Sequence, residues 1–162
     1  MDKVSLRMRL KGVRRLLVLG IGNESEGDDG AGIALARRLR RRWRSSKRFR
    51  AIDVGLTPEN SIAAVRRYDP SHILLVDAAD MGLLPGSVRI IEKENVSGLT
   101  ISTHGLSLSL IADYFEKEIG AKVTLIGIQP LKVGPAKRVS EPVAESIDSL
   151  ESILSEIPKL GA

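Results

Sequence analysis

"RLLVLGIGNESEGDDGAGIALARRLRRRWR", residues 15–44, carries the fold in one line. Its apolar run 15–21 reads as a buried strand. Asp28 to Arg44 reads as a helix with acidic residues in its first turn. A strand passing through a glycine-rich turn into a helix is the repeating unit of an α/β protein. The same alternation continues downstream. "RFRAIDV" (48–54) is a second strand, and "TPENSIAAVRRY" (57–68) a helix with Thr57 as N-cap and Pro58 at its first position. "HILLVDA" (72–78) is apolar almost throughout, as expected of a central parallel strand covered on both faces. "GSVRIIEK" (86–93) and "KVTLIGIQ" (122–129) are the fourth and fifth strands. Helical segments cover 105–120 and 140–157, the last with Ser140 as N-cap. The expected architecture is a three-layer α/β/α sandwich on a mostly parallel five-stranded sheet. One strand is expected to run antiparallel, because "DMGLLPG" (80–86) is short for a crossover.

The bulk composition narrows the chemistry. A chain of 162 residues with 43% hydrophobic and 28% charged residues fits one globular domain. It reads as a basic N-terminal arm at 1–14 followed by a single domain at 15–162. No stretch approaches the roughly 18 apolar residues of a membrane helix, and the N-terminus lacks a signal peptide's apolar core. A cytoplasmic protein is the expectation. There is no cysteine, which removes disulfides, thiolate metal sites and a cysteine nucleophile. The net charge of +5 is concentrated in "ARRLRRRWRSSKRFR" (36–50). With few aromatic residues and no nucleic-acid fold signature beside it, this run reads as a solvated helix face rather than a nucleic-acid site.

In open α/β sheets, sites form outside the carboxyl ends of the strands. Asp28 and Asp29 follow strand one, Asp53 closes strand two, Asp77 closes strand three, and His104 lies in the loop after strand four. All fall at one sheet edge. Carboxylates with an imidazole suit a borderline divalent metal such as nickel or zinc, with open positions for substrate. The other histidine, His72, opens strand three at the opposite edge, where a structural surface role is expected.

A phosphate-binding reading of the first turn competes and loses. Gly20 and Gly22 are followed by Ser25 where a dinucleotide fingerprint requires glycine. Glu24, Glu26, Asp28 and Asp29 would repel a pyrophosphate, and no phosphate-loop lysine follows. There is no H-E-x-x-H, and "GLSLS" (105–109) lacks the second glycine of a serine nucleophile elbow.

Five segments recur together in a known order: "GIGNESEGDDGAG", "DVGLTPEN", "LLVDAADMGLLPGSVRII", "STHGLSLSLI" and "IGIQP". On these the chain resembles the hydrogenase maturation endopeptidases. It is most similar to the branch acting on formate-hydrogenlyase-type (hydrogenase 3) nickel–iron hydrogenases. The resemblance runs from about residue 15 to about residue 155. It implies a phosphorylase/hydrolase-like α/β/α fold and an aspartyl-type endopeptidase. That enzyme removes a C-terminal extension from the large-subunit precursor after nickel has been inserted.

Carried over by motif, the resemblance places metal contact on Asp29, Asp77 and His104, and puts Asp53 near the cleft. The nickel is carried by the precursor, and other divalent metals can occupy the site. Neither Asp29 nor His104 is expected in the core. The implied partner is the hydrogenase precursor, with no membrane insertion and a monomeric enzyme. The alternative is a non-catalytic metal-binding or chaperone-like module for the same precursor. Two departures stand out: "ESE" (24–26) is more acidic than the family's usual loop, and "DVG" (53–55) replaces a common "DGG".

Overall fold

The structure, a computed structural model, describes residues 3–98, 100–101 and 105–160. The elements run α1 (Lys3–Arg9), β1 (Leu16–Ile21), α2 (Ala31–Arg42), β2 (Phe49–Gly55), α3 (Ile62–Tyr68), β3 (His72–Asp80), β4 (Val88–Ile91), β5 (Thr100–Ile101), α4 (Gly105–Tyr114), β6 (Lys122–Ile128) and α5 (Glu141–Leu160). Five strands lie in the order β2-β1-β3-β6-β4, and the two-residue β5 pairs antiparallel with the end of β3. β1, β2, β3 and β6 are mutually parallel, while β4 runs antiparallel to β6. The short 80–86 connection therefore does what its length requires, returning the chain as an antiparallel edge strand.

Alternation along the strands builds the two helical layers. Leu16 and Val18 of β1 and Leu74 and Val76 of β3 pack with α1, α2 and α5. Leu17, Leu19 and Ile21, with Ile73 and Leu75, face α3 and α4. Every residue of β1 is buried, which explains its unbroken apolar run.

Three elements differ from the reading of the sequence. The helix expected from Asp28 begins as a 3-10 turn (Asp28–Gly30) and ends at Arg42, with Trp43 turned into the core. Thr57 precedes a 3-10 turn rather than an α-helix, and its hydroxyl accepts from Asn60 Nδ2 at 3.0 Å instead of capping the backbone. The N-terminal segment contains helix α1, whose Leu6 is buried in the core together with Leu10 just after it.

α1 and the turn after it fold across the start of β3. Arg14 N–H donates to Ser71 Oγ at 2.9 Å, and His72 N–H donates to the Arg15 carbonyl at 3.1 Å. His72 is consequently 3% exposed, not a surface residue. Burial, with Lys122 and Arg14 nearby, holds its imidazole below the ordinary value of 6.5.

Candidate active site

β1 lies between β2 and β3, so the chain leaves it in opposite directions and the strand order reverses there. The carboxyl ends of β1 and β3 therefore form the switch-point crevice where ligands enter α/β sheets. Two close backbone approaches shape it. Gly32, at the start of α2, sits so near the sheet that a Cβ there would lie 2.2 Å from the Val76 carbonyl oxygen. Gly22 has φ +135°, a conformation open to glycine, and a Cβ there would lie 1.8 Å from the Asp29 carbonyl oxygen. That same point is 3.7 Å from Asp77 Oδ1. Gly22 thus packs on the backbone of Asp29, in the turn after β1, and lies close to the Asp77 carboxylate at the end of β3.

Asp77 is 3% exposed and, two residues after Leu75, belongs to the α3/α4 side of the sheet. Asp29 is 8% exposed, so it is buried, contrary to its expected place outside the core. The cause is the 131–139 segment, which folds over the turn. Gly134 N–H donates to the Glu26 carbonyl, and Ala136 N–H to the Ser25 carbonyl. Asn23 N–H fixes Asp29 Oδ2 at 2.9 Å, while Oδ1 accepts no hydrogen bond from the described residues.

Asp28 has a separate role that the sequence did not disclose. It is 2% exposed, and its carboxylate accepts from Leu131 N–H at 2.8 Å, Lys132 N–H at 3.1 Å, Ser140 N–H at 2.6 Å and Ser140 Oγ at 2.8 Å. Burial pushes its carboxyl up, but these donors outweigh it and leave it below 3.8. Asp28 is the anchor that closes the 131–139 segment over the crevice. The signal in the sequence was the doubled acid itself, since two neighbours on a tight turn point to different places.

Asp53 is drawn elsewhere. Two residues after Ala51, it shares the α2 side of the sheet, opposite to Asp77. Arg37 Nε donates to its Oδ2 at 2.6 Å, and the same guanidinium bridges to Glu24. The two carboxylates hold the Arg37 guanidinium well above its ordinary range. The register with β1 shifts just after Asp53, and the Gly55 carbonyl accepts from Gly22 N–H at 3.0 Å. The structure thus places the Asp29 backbone and the Asp77 carboxylate next to Gly22, while Asp53 pairs with Arg37. His104 lies outside the described residues. Among the described residues no three His, Asp or Glu side chains converge on one metal position.

Gln129, missed in the sequence, shapes the opposite wall. It is buried after β6, and its Oε1 accepts from Met81 N–H at 2.7 Å and Leu83 N–H at 3.2 Å. Its Nε2 donates to Asp80 Oδ1 at 3.1 Å and to the Pro130 carbonyl at 3.3 Å. The turn it holds carries exposed Leu83 and Leu84; with Leu56, Leu131 and Val133 these form an apolar rim at the carboxyl edge.

Comparison with known proteins matches this frame. A model of the HycI family, described as hydrogenase maturation protease, matches residues 33–157. A putative hydrogenase maturation protease of Methanocaldococcus jannaschii is 36% identical, covering 96% of this chain and 95% of its own. The hydrogenase 3 maturation protease of Escherichia coli K12 is 36% identical over 83% of this chain and 85% of its own. The crystal structure of the nickel–iron hydrogenase maturation protease HycI from Thermococcus kodakarensis superposes with a TM-score of 0.85 at 30% identity, covering 96% and 99% of the two chains. The alternative of a non-catalytic module gives way to a peptidase, and the chain belongs to the HycI family of hydrogenase maturation proteases.

Proposed function

We propose that this endopeptidase removes the C-terminal extension of a nickel–iron hydrogenase large-subunit precursor, in the cytoplasm and as a monomer, once the precursor carries nickel. The nickel is part of the substrate. Asp29, Asp77 and His104 complete its coordination from the enzyme side, and this contact anchors the precursor. The observation that carries the reading is the position of the Asp77 carboxylate beside Gly22, which packs on the backbone of the turn carrying Asp29 at the switch point. Two carboxylates, with Asp29 Oδ1 accepting no hydrogen bond from the described residues, supply oxygen donors that fit a borderline metal with exchangeable positions. Other divalent metals fit the same donors.

Anchoring converts a bimolecular encounter into a positioned reaction, in which water attacks the scissile carbonyl. Asp53 contributes by positioning. Through Arg37 it holds Glu24, and with it the turn that carries Asp29. The apolar rim receives the chain flanking the cut.

The test is cleavage of nickel-loaded and nickel-free precursor, followed by intact mass. Loss of one C-terminal peptide from the loaded form alone supports the anchor. Equal cleavage of both forms keeps the peptidase and removes the metal contact.

A further inference from the structure

The end of the molecule opposite the active site has a composition that its peptidase role does not use. α1 is amphipathic. Leu6, with Leu10 just after the helix, is buried in the core, while Val4 and Met8, four residues apart, are 63% and 72% exposed. Leu10, Trp43 and Phe49 share one core cluster, and Phe49 follows Arg48, whose Nε donates to the Arg14 carbonyl at 2.9 Å. α1, the end of α2 and the start of β2 therefore meet at the amino edge of the sheet.

That edge is rich in cations. Lys11, Arg14, Arg41, Arg42, Arg44 and Lys47 are exposed. None of them pairs with a carboxylate among the described residues, whereas Arg7, Arg9 and Arg15 bridge Glu156, Glu92 and Asp69. Glu156, Glu92 and Asp69 are thus already paired, and these six cations have no carboxylate partner among the described residues. Acids instead crowd the carboxyl edge, about 20 Å away along strands of this length.

We propose that this amino-edge face binds the surface of an anionic lipid bilayer. The cations meet the negative headgroups, and Val4 and Met8 enter the boundary between headgroups and acyl chains. The attachment is peripheral, since no described helix is long and apolar enough to cross a membrane. A nucleic-acid surface would use exposed aromatic rings for stacking, but Trp43, Phe49 and Tyr68 are buried. Exposed aliphatic side chains beside unpaired cations fit lipid instead. The strand axis then points the active site away from the bilayer, leaving it open to its protein substrate.

Co-sedimentation of the full chain with vesicles tests this, using phosphatidylcholine alone and phosphatidylcholine mixed with phosphatidylglycerol. Binding should be at least about tenfold stronger to the anionic vesicles and should fall as salt rises from about 50 to 500 mM. The double variant V4S/M8S should bind at least about fivefold more weakly, and R41E/R44E/K47E at least about tenfold, each with unchanged thermal unfolding. Precursor cleavage in solution should be unaffected by either variant. Equal binding to neutral and anionic vesicles, or none to either, overturns the proposal. So does wild-type vesicle binding by V4S/M8S. Duplex DNA or an acidic polypeptide held more tightly than the anionic vesicles would assign the face to that class of partner instead.

Discussion

Asp28 and Asp29 are neighbours of the same type with opposite surroundings. Asp28 spends both oxygens on four donors from the 131–140 segment, whereas Asp29 has one oxygen fixed by Asn23 N–H. Substitution by Asn should therefore separate them. Asp28→Asn replaces charge-assisted acceptors with a neutral amide that presents N–H groups to donors, and should cost about 2–4 kcal/mol, read from denaturant unfolding. Asp29→Asn should leave the unfolding midpoint almost unchanged and lower precursor cleavage by at least about 100-fold. His72 gives the residue scale a pH signature. Its folded value is held below 6.5 by burial, Lys122 and Arg14. As pH falls through 6.5, the unfolded chain takes up this proton before the folded one. Stability contributed at neutral pH is then lost until the folded imidazole also titrates. His72→Gln should flatten the loss of unfolding free energy between about pH 6.5 and 5, while the wild type slopes downward. The Asp28 carboxylate, lowered from 3.8, adds stability above that value that disappears only in stronger acid.

The helix α2 owes its close approach to the sheet to glycine as well as to its buried apolar stripe. A methyl group on Gly32 would meet the Val76 carbonyl at 2.2 Å and the Ile21 carbonyl at 2.6 Å, and neither backbone atom can yield. Gly32→Ala should lift the start of α2 from the sheet, costing about 3 kcal/mol or more and displacing the turn that carries Asp29. Reduced cleavage per folded molecule, beyond the loss of stability, would be the mark of that displacement. Much of this frame was legible in the sequence. The strands 15–21 and 72–78 announced themselves because both faces are buried and the apolar runs at their centres, 16–21 and 73–76, are unbroken. The antiparallel β4 followed from a connection too short to cross over. Helix α1 was not legible: its seven residues carry three cations and no capping signal, and tertiary burial of Leu6 and Leu10 decides its place. Asp29 and Asp77 could be put at one edge by counting strand ends. The opposite face taken by Asp53 depends on register, and its capture by Arg37 depends on a helix partner sixteen positions away.

At the scale of the whole molecule, the crevice is assembled from the carboxyl ends of β1, β2, β3 and β6, and no single segment contains it. Two polar anchors set its walls from beneath: Asp28 holds the 131–139 segment, and Gln129 holds the 81–83 turn. Each anchor presents exposed apolar side chains above it, Leu131 and Val133 on one side and Leu83 and Leu84 on the other. Rigid supports beneath exposed leucines are suited to binding a partner, because little side-chain and loop order remains to be lost on docking. Under the proposed function, binding energy gained at these leucines would serve to position the cut. The double variant L84S/L131S should thus lower kcat/KM for the intact precursor by about tenfold, while thermal unfolding stays within about 1 °C because both leucines are already in water. A short synthetic peptide spanning only the cut would miss much of the rim. The same variant should change its cleavage far less, and equal losses on peptide and precursor would place the defect at the reacting groups instead of the rim.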